Sequence, residues 1–185
     1  MYNKIHKDVL EIKNFLSKEE CNEVVSILQS FPEEFWRSDQ YANWDKRNLK
    51  EDIKDKNLDV IKFKILNKVK SLFESYAMIV PTNGQVNMQR ILPNTGGLSG
   101  HKDNFVDTTV KYGLVLYYND DYVGGEIKYP EFDITYKPES GSLIIHDGGS
   151  FHVVNEVFEK TRYMSTFFIH EIGNDLAILK EKINE

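Results

Sequence analysis

From Thr82 onward the chain is cut into short apolar segments by Gly, Asn, Pro and Asp. Strands are expected at 84–92, 98–103, 111–118, 125–129, 132–136, 142–146, 151–157 and 162–170. Eight short strands at this spacing point to a sandwich, a jelly roll or a barrel. The first 78 residues have a different texture. Val9 to Leu16 reads as a short opening strand. Ser17 follows, with Glu20 three residues on, a capping box for a helix. Cys21, Val24, Val25, Ile27 and Leu28 continue at helical spacing until Phe31-Pro32 stops the run. A second helix is expected from about Asn57 to Tyr76. Residues 33–52 show no clear period, and 174–185 read as a short charged helix or a frayed end. No repeat or linker divides the 185 residues, so one domain is expected. Its helical part covers about 1–80 and its β core about 82–172.

Composition narrows the function classes. Apolar residues are 41% of the chain, enough for a sizeable core, and the 28% charged residues are interspersed. Net charge is −6, which argues against non-specific nucleic-acid binding, since phosphate neutralisation needs a basic stripe. The lysines between Lys46 and Lys70 alternate with acids and read as a solvated face. The single cysteine, Cys21, cannot form an internal disulfide and reads as a core residue. No run is long enough to span a membrane and no apolar leader opens the chain. A cytoplasmic protein is therefore expected; the oligomeric state is left open.

The residues that carry chemistry are few. His101 and Asp103 are two apart, so on a strand they would share one face and reach one ion. His152 offers a third ligand, in Ser150-Phe151-His152-Val153-Val154. His146 and His170 are its rivals, and His146-Asp147 could add a carboxylate. Two imidazoles and one carboxylate form the facial triad of non-haem Fe(II) sites. Arg162 opens the last apolar strand. A buried arginine is costly unless it meets an anion, and its planar fork suits a terminal carboxylate. In a simple hairpin turning at Glu159-Lys160, Arg162 would lie opposite Val157, about 16 Å along from His152 at roughly 3.3 Å per residue. That is too far for a small diacid to bridge. The hypothesis therefore requires a crossing between two facing sheets.

The ordered fragments extend this pattern. Tyr117-Tyr118-Asn119, Gly124-Gly125-Glu126, Pro138 with Gly141-Ser142-Leu143-Ile144-Ile145, and Thr161-Arg162-Tyr163 accompany the His101-x-Asp103…His152 set. Together with Asn14-Phe15-Leu16-Ser17 they resemble the Fe(II)/2-oxoglutarate-dependent dioxygenase superfamily, in its prolyl-4-hydroxylase-like branch. The likeness covers roughly residues 9–172. It implies an α+β fold, a double-stranded β-helix (jelly roll) buttressed by N-terminal helices. It implies His101, Asp103 and His152 as iron ligands, Arg162 as the partner of the far carboxylate of 2-oxoglutarate, and Tyr117 as a hydroxyl sharing that carboxylate. Gly113, Val115 and Tyr117 would face inward together.

The implied activity consumes O2 and 2-oxoglutarate, releases succinate and CO2, and hydroxylates a C–H bond, with ascorbate as reductant. A prolyl residue of a protein or peptide is the favoured substrate. A free amino acid, another small metabolite or a modified base are alternatives, as is an oxygen sensor. The strand before His101 carries Asn87 and Gln89 where related prolyl hydroxylases often have tyrosine, which weakens transfer of the substrate. Residues 93–100 and the aromatic stretch Trp36 to Trp44 are candidate rim loops. The contrasting reading is a sugar- or metal-binding jelly roll, with a structural His-x-Asp and Arg162 at the surface.

Overall fold

The computed structural model describes residues 2–38, 46–73, 78–79, 86–105 and 107–171. Its elements run β1 (Tyr2–His6), β2 (Val9–Ile12), α1 (Lys18–Ser30), β3 (Trp36–Ser38), β4 (Lys46–Leu49), α2 (Lys56–Phe73), β5 (Met78–Ile79), β6 (Asn87–Ile91) and β7 (Leu98–His101). They continue with β8 (Val110–Tyr117), β9 (Val123–Gly124), β10 (Ile127–Tyr129), β11 (Ile134–Tyr136), β12 (Leu143–Asp147), β13 (His152–Val154), β14 (Val157–Glu159) and β15 (Arg162–Glu171). A large sheet orders its strands β1-β2-β12-β8-β15-β6-β4-β3, with β5 also on β15. A small sheet runs β11-β10-β13-β7, and β14 pairs with β9 apart from both.

The central strand, β8, shows how the layers form. Its side chains alternate between two faces. Tyr112, Leu114 and Leu116 join the core with Leu28 of α1 and Ile65 and Val69 of α2. Tyr117 packs the other way, with Ile127 and Tyr129 of the small sheet. The helices therefore cover one face of the large sheet and the small sheet covers the other, as in the expected helix-buttressed jelly roll. Glu11 helps to close the sandwich. Fully buried on β2, it accepts hydrogen bonds from Ser142 Oγ at 2.8 Å and from Tyr136 Oη of the small sheet at 2.6 Å.

The capping box forms: Ser17 Oγ accepts from Glu20 N at 3.2 Å, and Glu20 Oε2 accepts from Ser17 N at 2.8 Å. The α2 helix buries Leu58, Ile65, Leu66, Val69 and Phe73, while its Val60 and Phe63 are exposed. Cys21 is buried and unpaired, and burial pushes its thiol up to about 11. Several strands depart from expectation, three of them at sheet margins. β1, β3 and β4 are polar in sequence and arise by pairing at sheet margins, where neighbours supply the hydrogen bonds. Tyr41, Trp44, Tyr76 and the tail from 174 lie outside the described residues.

Candidate active site

The two sheets meet around a cavity of about 260 Å³. The small sheet brings the histidines to it. His101 ends β7 and His152 opens β13, and they stand directly opposite in the antiparallel pair. Their ring centroids are 4.3 Å apart. Each Nδ1 lies 3.0 Å from the carbonyl oxygen two residues back, Ser99 O for His101 and Ser150 O for His152. A carbonyl only accepts, so each Nδ1 carries the proton and each Nε2 presents a lone pair.

Asp103 completes the group, but not as a strand residue. The strand stops at His101, and Asp103 opens a 3-10 turn, Asp103–Phe105, docked by Asn104 N on Gly148 O at 3.1 Å. The shared-face argument from strand periodicity is thus replaced by a turn that folds the carboxylate back over the strand end. Asp103 Oδ1 faces His101 Nε2 at 3.6 Å and His152 Nε2 at 3.9 Å. Ligand atoms of these three residues lie within 4.8 Å of one another. Neither rival histidine joins them: His146 hydrogen-bonds to Asp103, and His170 lies against Thr109 Oγ1 at 2.9 Å.

The electrostatics suit a divalent cation. Burial pushes the Asp103 carboxyl up, but the imidazoles of His101 and His146 outweigh it and hold it below the usual carboxylate range. Burial, aided by His146 and His101 and opposed by Asp103, takes His152 down to about 4. At neutral pH these groups are one anion and one neutral nitrogen base.

The large sheet supplies the opposite wall. Arg162 is 1% exposed. Its Nη1 donates to Gly125 O at 3.0 Å, its Cζ lies 4.7 Å from the Tyr117 ring centroid, and its Nε has no partner among the described residues. Among the described residues no carboxylate forms an ion pair with it. Tyr117 is fully buried, and among the described residues its hydroxyl is also without a partner. Gly125, at φ +68°, supports the arginine: its backbone carbonyl accepts from the guanidinium. A binding module with Arg162 at the surface does not match this burial.

The simple hairpin does not form. β14 pairs with β9, while β15 pairs with β8 and β6 of the large sheet. Between His152 and Arg162 the chain crosses from one sheet to the other, and both residues line the same cavity. Val115 and Tyr117 line it too, with Asn87, Gln89, Asn48 and Arg37 at its polar end. Gln89 Nε2 donates to Asn48 Oδ1 at 2.9 Å, while its Oε1 is unpartnered among the described residues.

Sequence reasoning missed two neighbours of Asp103. His146 was weighed only as a rival ligand, and Tyr129 had no signal beyond its place on a strand. Both line up behind the carboxylate.

No protein-family model matches the chain. A PKHD-type hydroxylase of Crocosphaera subtropica is 25% identical over 181 residues, covering 91% of this chain and 81% of that protein. Among solved structures, the viral collagen prolyl hydroxylase of Paramecium bursaria Chlorella virus-1, in its 2-oxoglutarate complex, superposes with a TM-score of 0.65 at 16% identity, covering 90% and 97% of the two chains. A prolyl-4-hydroxylase of Pseudomonas putida gives 0.68 at 14% identity, covering 90% and 94%. In fold this chain matches these prolyl hydroxylases, and in sequence it is similar to the PKHD-type hydroxylase.

Proposed function

We propose that this chain is an Fe(II)- and 2-oxoglutarate-dependent dioxygenase that hydroxylates a prolyl residue of a protein or peptide, releasing succinate and CO2. The observation that carries the reading is the pairing of two features in one cavity. A two-imidazole, one-carboxylate cluster stands beside a buried arginine that has no anionic partner among the described residues. Nitrogen and hard anionic oxygen donors suit Fe(II). A buried guanidinium needs an anion, and the far carboxylate of a diacid supplies one.

His101, Asp103 and His152 would hold the iron, which when bound supplies the oxidising chemistry, coupled to decarboxylation of 2-oxoglutarate with O2. The remaining tasks fall to the protein. Arg162 binds the far carboxylate, and the Tyr117 hydroxyl donates to the same group. The Tyr117 hydroxyl and Arg162 Nε, which lack a partner among the described residues, would then be satisfied. Val115, Ile127 and Met164 form the apolar walls, which exclude water and fix where the substrate carbon lies. Ascorbate belongs to the same reading as the reductant that keeps iron ferrous.

A polypeptide substrate is supported by access from the surface. The His101 side chain is 37% exposed and Phe105, two residues past Asp103, is 84% exposed. A residue presented by a longer chain can reach such a site. The buried, unpaired Cys21 is in keeping with the reducing cytoplasm, where we place the protein.

The test is anaerobic titration of the apoprotein with Fe(II) and 2-oxoglutarate, followed through the weak visible metal-to-ligand charge-transfer band. The band is expected in the wild type, absent in His152→Ala and weakened in Arg162→Ala. No band in metal-loaded wild type would overturn the assignment. Mass-shift assays on proline-containing peptides, run beside free proline, then decide between peptide and metabolite.

A further inference from the structure

Asp103 Oδ1 faces the two Nε2 atoms, and its other oxygen is also engaged. His146 Nε2 lies 2.8 Å from Asp103 Oδ2, and His146 Nδ1 lies 2.9 Å from Tyr129 Oη. An ionised carboxylate only accepts, so Nε2 carries the proton. In the neutral imidazole Nδ1 then accepts, and the tyrosine hydroxyl donates to it. Tyr129 thereby fixes the tautomer, and the tautomer fixes the carboxylate. The three residues lie on different elements: Tyr129 on β10 of the small sheet, His146 on β12 of the large one, Asp103 in the turn after β7.

The fold makes room for this chain of bonds. His146 is 1% exposed and Tyr129 fully buried. Directly across the ladder from His146 stands Gly113. A Cβ there would come within 1.9 Å of Asp103 Oδ2 and 2.4 Å of His146 Nε2. Only a residue without a side chain leaves space for the bond, although β8 elsewhere packs bulky residues.

We propose that His146, held by Tyr129, is a positioning residue that ties down Asp103 Oδ2, so that the carboxylate meets the metal through Oδ1 alone. The inference rests on the metal-site reading above and goes beyond its ligand list. Its consequence is coordination number. A carboxylate free to turn can chelate through both oxygens and occupy a further metal position. With Oδ2 held by a buried N–H, the set supplies three donors and leaves the rest of the sphere open. Hydrogen bonds of this outer kind typically account for about 10–100-fold in metal affinity.

The test uses the full-length apoprotein and Co(II) alone, read by binding affinity and by the ligand-field spectrum, which changes with coordination number. His146→Phe keeps the volume and removes both bonds. It is expected to weaken Co(II) about 10–100-fold and to change the spectrum. His146→Gln restores an N–H donor and is expected to recover most of both. Tyr129→Phe removes only the hydroxyl and releases the tautomer, giving a smaller loss in the same direction. Should His146→Phe fail to fold, Tyr129→Phe and His146→Gln decide. Wild-type affinity and spectrum in Tyr129→Phe and His146→Phe would overturn the proposal. So would equal, near-total loss in His146→Phe and His146→Gln, which would make His146 a ligand. Failure of the wild type to bind Co(II) would instead overturn the metal site itself.

Discussion

Replacing Arg162 with Met separates a structural arginine from a ligand-binding one. The guanidinium is buried with one carbonyl acceptor, two aromatic neighbours and no ion-pair partner among the described residues. Desolvating a cation costs several kcal/mol. Against this stand one hydrogen bond to a charged group, about 1.5–3 kcal/mol, and cation–π contact with Tyr117 and Tyr122, about 0.5–2 kcal/mol. The terms nearly cancel. Met fills similar volume and adapts its shape. The apoprotein should therefore change by less than about 2 kcal/mol, in contrast to the 3–5 kcal/mol lost when one partner of a compensated buried pair is removed.

The liganded protein should behave differently. At one hundred times its Kd, 2-oxoglutarate stabilises the wild type by about 2.7 kcal/mol. For a chain of this size that is a rise of about 5–11 °C in Tm, at roughly 2–4 °C per kcal/mol. Thermal unfolding with Mn(II) in place of iron, with and without 2-oxoglutarate, reads both quantities. Arg162→Met should move its apo Tm by less than about 8 °C and lose the 2-oxoglutarate shift. An equal shift in both proteins, or a collapse of the apo variant, would refute the reasoning.

Three further outcomes are expected. Gly113→Ala should cost about 1–3 kcal/mol through overpacking and lower Co(II) affinity, because the added methyl collides with Asp103 Oδ2; calorimetric titration of Co(II) beside urea unfolding checks both. Stability of the metal-free protein should fall as pH drops from about 6.5 towards 4. In that window unfolded His152 binds a proton that the folded residue, at about 4, excludes. The contribution is at most about 3 kcal/mol, and His152→Gln should flatten the profile of Tm against pH. Ser17→Ala should lower Tm by about 2–4 °C, from loss of roughly 1 kcal/mol of capping, with Co(II) affinity unchanged.

Much of this was legible in the chain, for local reasons. The capping box at Ser17 and the apolar spacing of α1 depend on near neighbours. The inward set Gly113, Val115 and Tyr117 follows from strand alternation alone. What escaped depends on distant partners. Tyr2–His6 and Lys46–Leu49 are polar runs that become strands because a neighbour offers hydrogen bonds. Asp103 left the strand because its turn docks on Gly148, a contact 44 residues away in sequence. His146 could not be told from a ligand, since only the fold shows which of its nitrogens meets the carboxylate. The crossing after β13 was legible as a requirement of chemistry rather than as a pattern of residues.

That crossing bears on how the protein reaches its working state. His101 and His152 are 51 residues apart, and Tyr117, His146 and Arg162 come from the opposite sheet. In a zinc finger, ligands close in sequence let the ion nucleate folding. Here the loops to be closed are long, and pairing of this kind ranks among the slower events of folding. Metal uptake should therefore come after the two sheets have closed. A bound ion would then certify a finished sandwich rather than help to build one.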